Sequence, residues 1–382
     1  MSETLAAYWW IIIPAAMAIL ALVFSLEWRA SKDKMTFPRN YVEGLRAIIS
    51  GDEKDAIVKL KQAVAEDTDN IDAYLKLGDL FRMRGLRDKA IQIHRELLLR
   101  RNLDHNMASH VKKSLAEDYI QVKKYDSALE LLESLVKDDS FKPWALEKLL
   151  EVYDKTEKWE DAFETRKTLG KLKGKADGLA AYRHLLGQEQ FKAGEYHKAR
   201  IAFKDALHYD EKFASAYIMI AESYLAESRE EDAAEYFKKL VENVPCEAYR
   251  VIHRMEQTMF NLGRFSGIES IYREILAACP DDVDVLLALA DIAEKRGDVR
   301  AAIDTLSPVL GYERRDVVAV AKLAELYLSN GQQNKAREVL SSVEKLWSTN
   351  KPQYVCSHCH AASASQEIVC PNCKRVGPYK RT

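Results

Sequence analysis

A small residue recurs along this chain at nearly constant spacing, and that spacing narrows the possible folds more than any other feature. Ala56, Ala90, Ala128, Ala162, Ala199, Ala233, Gly267, Ala302 and Ala336 are separated by 34, 38, 34, 37, 34, 34, 35 and 34 residues. A period in this range means stacked supersecondary units, each too small to bury its own apolar face. The flanking residues recur as well. Tyr74, Leu77, Gly78 and Phe81 precede Ala90; Tyr217, Ile220, Ala221 and Tyr224 precede Ala233, with Phe237, Leu240 and Pro245 after it; Leu323, Ala324 and Tyr327 precede Ala336. Apolar residues three and four apart mark amphipathic helices. Small residues let paired helices approach, and large ones fill the space toward the next unit. With 15 Gly and 9 Pro in 382 residues, few turns are specified and no strand is apparent, which favours helices.

The period and its packing residues resemble the tetratricopeptide repeat. Nine units are expected over residues 40–347, giving an all-α superhelical solenoid whose concave surface holds a peptide or helix. Some positions depart from the pattern: Asn40 and Glu43 in the first unit, Leu150 in the fourth, Arg254 and Gly267 in the seventh. The two long intervals predict extra loop residues around Asn102–His110 and Gly170–Ala181. Leu75 and Asp79 stand where the carboxylate-clamp subtype of these repeats carries Lys and Asn, so that resemblance fails.

Tyr8 to Leu26 contains no charged residue. Its 19 residues would span roughly 28 Å as a helix, close to the thickness of the bilayer hydrocarbon. Tyr8, Trp9 and Trp10 at one end and Trp28 at the other match interfacial aromatic belts. Only Glu3 precedes the segment, whereas Arg29, Lys32, Lys34 and Arg39 follow it, diluted by Glu27 and Asp33. The bias predicts a single-pass anchor over 1–28, a juxtamembrane linker over 29–39 and a cytoplasmic remainder. A cleaved signal peptide would need a basic start and a small-residue cleavage site, and neither is present.

After a linker at 348–353, residues 354–382 hold two Cys-x-x-Cys pairs: Cys356 with Cys359, and Cys370 with Cys373. Such pairs suit one tetrahedral ion, zinc or iron. A segment this short cannot build a sufficient apolar core, so the ion would supply much of its folding energy. No aromatic lies between Cys359 and Cys370 to shelter an electron-transfer iron, which favours a structural role. His358 and His360 are read as surface residues, and Lys374, Arg375, Lys380 and Arg381 as a solvated basic face. The grouping of four cysteines suggests a reducing compartment, with Cys246 and Cys279 as small apolar fillers near turns.

Nothing points to catalysis. There is no Gly-rich phosphate loop, nucleophile elbow or His-Glu-x-x-His. His94, His184, His197, His208 and His253 fall in different units and are read as helix-face residues. A net charge of -2 argues against nucleic acid as a partner.

The order of anchor, repeats and rubredoxin-type knuckle resembles the lipopolysaccharide assembly protein B family of Gram-negative bacteria. YVEGLRAIIS after the anchor, LGDLFRMRGLRDKAIQIH in the second unit and the final CPNC carry the likeness. The resemblance implies a non-catalytic inner-membrane adaptor that modulates lipopolysaccharide synthesis. Its implied partners are a membrane-bound ATP-dependent metalloprotease and the lipid A pathway deacetylase it degrades, with other lipopolysaccharide assembly proteins as further candidates. By match, Cys356, Cys359, Cys370 and Cys373 carry the metal role, and no groove residue transfers. The alternative is a redox or electron-transfer protein with an iron-thiolate centre on the same scaffold.

Overall fold

The computed structural model describes residues 17, 38–101, 103–174, 177–311, 316–346, 354–363, 367–377 and 379–381. The anchor expected at Tyr8 to Leu26 lies outside these residues apart from Met17. Among the described residues no helix is long and apolar enough to cross a membrane. The chain divides into two compact units, Met1–Ala145 and Leu146–Thr382.

The described residues form eighteen α-helices in consecutive hairpins. The first unit holds α1 (Arg39–Ile49), α2 (Glu53–Glu66), α3 (Ile71–Met83), α4 (Arg87–Leu98), α5 (His105–Gln121), α6 (Tyr125–Leu135) and the start of α7 (Lys142–Thr156). The second continues with α8 (Trp159–Lys173), α9 (Leu179–Lys192), α10 (Tyr196–Tyr209), α11 (Ala214–Leu225) and α12 (Glu230–Asn243). A 3-10 segment, η1 (Pro245–Val251), precedes α13 (Ile252–Asn261), and η2 (Phe265–Gly267) precedes α14 (Ile268–Ala278). Then come α15 (Val283–Lys295), α16 (Val299–Leu306), η3 (Ser307–Gly311), α17 (Val317–Ser329) and α18 (Gln333–Leu346).

Eight of the nine recurring small residues occupy the fourth position of a hairpin's second helix, and all eight have no exposed surface. The exception is Gly267, which ends η2. Opposite them, the first helices present their own small residues. A Cβ on Gly78 would stand 2.4 Å from His94 Nε2, and one on Gly187 would stand 2.5 Å from Phe203 Cε1. At these two crossings there is no room for a side chain, whereas the fourth hairpin carries Leu150 at the corresponding position. The turns follow the same register. Gly51, Gly85, Gly194, Gly297 and Gly331 lie in the left-handed region five residues before the small residue, and Lys123, Glu157 and Ser228 take that conformation at the same place without being glycine.

The two long intervals are absorbed mainly by helix rather than loop. Residues 105–110, expected in a loop, open the 17-residue helix α5, because Asp104 caps it by accepting the Met107 N–H at 2.7 Å. Residues 170–173 end α8 and 179–181 begin α9.

In the seventh hairpin, Cys246 of η1 and Cys279 at the C-cap of α14 form a disulfide with a Cα–Cα distance of 5.6 Å. This corrects their reading as unlinked apolar fillers. One repeat of sequence separates them, so the two ends of one hairpin bring them side by side. Closing a span of 33 residues restricts the unfolded chain by an amount worth roughly 3–4 kcal/mol.

The C-terminal residues also carry strands that the sequence pattern did not suggest: β1 (Tyr354–Cys356), β2 (Ala362–Ser363) and β3 (Tyr379–Arg381), in the order β2-β1-β3, antiparallel throughout. Two or three residues are too few to display an alternating pattern.

Candidate metal centre

Two knuckles of matching geometry present the four cysteines. In the first, Cys356 N–H donates to Ala361 O at 2.9 Å and His360 N–H to Cys356 O at 3.0 Å; in the second, Cys370 N–H donates to Arg375 O at 3.0 Å and Lys374 N–H to Cys370 O at 2.8 Å. Each turn closes through a residue in the left-handed region, His360 (φ 56) and Lys374 (φ 58). Neither is glycine, and a Cβ in that conformation costs about 1 kcal/mol. Val369 and Val376 bridge the arms of the second knuckle.

The four sulfurs lie within 4.8 Å of one another, an arrangement consistent with one metal ion. Cys356 and Cys373 Sγ are 4.0 Å apart, and Cys359 and Cys370 Sγ are 3.6 Å apart. A tetrahedron with metal–sulfur bonds of ~2.3 Å requires about 3.8 Å between sulfurs. Burial pushes the Cys373 thiol up to about 12. Cys359 is shifted the other way by the backbone N–H of Ala361, and Asn372 Nδ2 points at its sulfur from 3.6 Å. The donor set, its spacing and these backbone N–H groups therefore fit a thiolate-bound ion. His358 and His360 are exposed, as expected, and among the described residues only the four cysteines cluster as ligands. Lys374 and Arg375 are exposed too.

Among the described residues, two contacts between the knuckles and the array stand out. Asp154 of α7 is 6% exposed, accepts the Tyr182 hydroxyl of α9 at 3.0 Å and accepts the backbone N–H of Val376 in the second knuckle. Burial raises the Asp154 carboxyl to about 6, against the opposing pull of Tyr182, Val376, Arg375 and Arg166. Tyr354, which opens β1, places its hydroxyl 2.5 Å from that of Tyr249 in η1. Beside the first contact lies a cavity of about 1020 Å³, with Leu150, Arg166 and Tyr209 on the array side and Ile368, Arg375 and Val376 on the knuckle side. None of Asp154, Tyr182, Tyr249 and Tyr354 was singled out from the sequence. The available signal was Leu150, large where a small residue is usual, because it faces this cavity.

Two histidines expected on helix faces are core residues instead. His94 has no exposed surface, with Nδ1 2.6 Å from Asp118 Oδ2 and Nε2 3.3 Å from Leu75 O. His184 is 1% exposed between Phe203 and Phe213, and burial lowers it to about 3.

Comparison with known proteins fits this geometry. Two models of the tetratricopeptide repeat match the sequence, one at residues 184–247 and 287–351, the other at 47–112. The chain is a tetratricopeptide-repeat protein. Its curated relatives bear the name the module order suggested. Lipopolysaccharide assembly protein B of Escherichia coli (strain K12) is 25% identical over 352 residues, covering 90% of this chain and 89% of its own. The protein of that name from Haemophilus influenzae is 23% identical over 349 residues, 88% of each chain. Among solved structures, that of MamA is 20% identical over 54% of this tetratricopeptide-repeat chain and 96% of its own, at a TM-score of 0.26, a superposition too loose to carry an argument.

Proposed function

We propose that this chain is a non-catalytic inner-membrane adaptor that modulates lipopolysaccharide synthesis. The observation that carries the reading is the similarity to lipopolysaccharide assembly protein B over about nine-tenths of both chains. In this reading residues 1–28 anchor the chain, 29–39 link the anchor to the array, 40–347 form the repeats on the cytoplasmic side, 348–353 are a linker and 354–382 are the metal module. Cys356, Cys359, Cys370 and Cys373 hold one zinc or iron ion, which when bound cross-links the two knuckles. The array presents the lipid A pathway deacetylase to a membrane-bound ATP-dependent metalloprotease. Because the module shares a cavity with α7 and α8, disordering it alters a wall of the surface offered to partners.

The test is affinity capture of the full-length protein from solubilised membranes, beside a Cys370→Ser/Cys373→Ser variant, with partners identified by mass spectrometry. The adaptor reading expects the protease and the deacetylase with the intact protein and less of both with the variant. Recovery of electron-transfer partners alone, with a coloured protein that cycles reversibly, would replace it with the iron-thiolate reading.

A further inference from the structure

Outside the metal module, the Cys246–Cys279 pair combines chemistry, accessibility and position. The two residues are bonded, yet their surroundings differ. Cys246 is exposed, whereas Cys279 is 6% exposed. Of the two residues, Cys246 is therefore the one that faces an incoming thiolate.

The position matters as much. Cys246 lies in η1, which packs against both α12 and α14. Three residues on, Tyr249 makes the hydroxyl contact with Tyr354 of the metal module at 2.5 Å. The next residue, Arg250, reaches Ser215 Oγ of α11 with both terminal nitrogens at 3.2 Å, and Ser215 lines the cavity beside the module. Tyr354 in turn sits two residues before the first cysteine of the metal cluster. One short segment thus joins a thiol–disulfide pair to the seat of the module.

We propose that Cys246 and Cys279 form a reversible thiol–disulfide site that sets how firmly the metal module is seated. Reduction proceeds by exchange with two molecules of a monothiol such as glutathione. The thiolate of the first attacks Cys246 Sγ, the Cys246–Cys279 bond breaks, and Cys279 leaves as a thiolate that takes up a proton. The thiolate of the second attacks the glutathione sulfur of the mixed disulfide, and Cys246 leaves as a thiolate that is protonated in turn. Two electrons and two protons pass to the protein, and the two thiols become one disulfide. A small-molecule disulfide such as oxidised glutathione reverses the change. In the oxidised form η1 is tied to the end of α14 and holds Tyr249 against Tyr354; in the reduced form that tie is gone. The regulatory sense of the switch rests on the proposed cytoplasmic placement, where such bonds are transient and redox-sensing, while the coupling itself does not.

The test uses the full-length protein as purified, equilibrated in glutathione buffers of graded poise and followed in two ways. Mass spectrometry of non-reduced digests follows the peptide linked through Cys246 and Cys279, and hydrogen exchange follows the amides of 354–356. A Cys246→Ser/Cys279→Ser variant separates effects on this pair from effects on the four metal cysteines, and Tyr249→Phe keeps the bond while removing the hydroxyl contact. We expect the linked peptide to appear and vanish reversibly, and exchange at 354–356 to rise about 10-fold on reduction. The double serine variant should show the faster rate at every poise, and Tyr249→Phe should show it even when oxidised. Separate alkylation of both cysteines under oxidising buffer would overturn the site. A linked peptide whose reduction leaves exchange at 354–356 unchanged would overturn the coupling. Neither result depends on whether the protease or deacetylase is the partner.

Discussion

The fifth hairpin and the metal module reach order by different means. In the hairpin α9–α10, Phe203 has no exposed surface and fills the space left by the absent side chain of Gly187. Around it runs a cluster continuing through Phe237, Leu240 and Tyr272. Among its described residues the module has a buried core of three, Tyr354, Cys356 and Cys370. Apolar packing orders the first, while the second, in the proposed reading, also draws on a bound ion and a surface to rest on. One chain thus combines a self-supporting scaffold with a part whose order is conditional.

The largest expected effect separates the two directly. Cys370→Ser removes one of four thiolates from a site whose binding supplies on the order of 10 kcal/mol of folding energy. Metal content should collapse and residues 354–381 should become protease-sensitive, while the helical circular dichroism stays close to that of the parent. Phe203→Ala strikes the other side of the comparison. It should cost about 3–5 kcal/mol in denaturant unfolding without changing the metal content of the folded protein.

A smaller effect concerns the seat between them. The Asp154 carboxyl lies near 6 in the folded protein against an ordinary 3.8, so the folded state holds its proton more tightly than the unfolded state. The stability it contributes is complete below pH 3.8 and is lost as pH rises through about 6, an effect on the order of 3 kcal/mol. Asp154→Asn keeps an acceptor for Tyr182 and Val376 but cannot ionise. Chemical unfolding from pH 3.5 to 7 should show this loss in the parent and a flatter profile in the variant. The smallest effect is local: His360→Gly relieves a left-handed residue at φ 56 and should raise the stability of the metal-loaded module by about 1 kcal/mol, read from the denaturant midpoint of metal release.

Much of the array was legible because its signal is periodic. Each recurring alanine reports a helix crossing, and the structure places all eight at the same helical position with no exposed surface. The four cysteines were legible because their spacing encodes the knuckle itself. What stayed hidden depends on contacts between distant residues. Asp154 and Val376 meet across 222 positions of sequence, and nothing local to either announces it. Cys246 and Cys279 look like two lone cysteines until the hairpin brings its ends together. His94 looks like a surface residue of α4 until Gly78 opposite it is seen to leave room for a ring. The departures at Leu150 and Gly267 were visible, but only the fold reveals that one faces the cavity beside the module and the other belongs to the cross-linked hairpin.

In the proposed reading a metal-dependent module is seated on a metal-independent array through the Val376 N–H and Asp154. Hydrogen exchange of the full-length protein, resolved at the Val376 amide and at amides flanking Phe203 and Leu240, tests it before and after metal removal by a chelator. The Val376 amide should be protected in the loaded protein and lose protection when the metal leaves, with the amides around Phe203 and Leu240 unchanged. Free exchange at Val376 in the loaded protein, or joint loss of protection in module and hairpins, would contradict it.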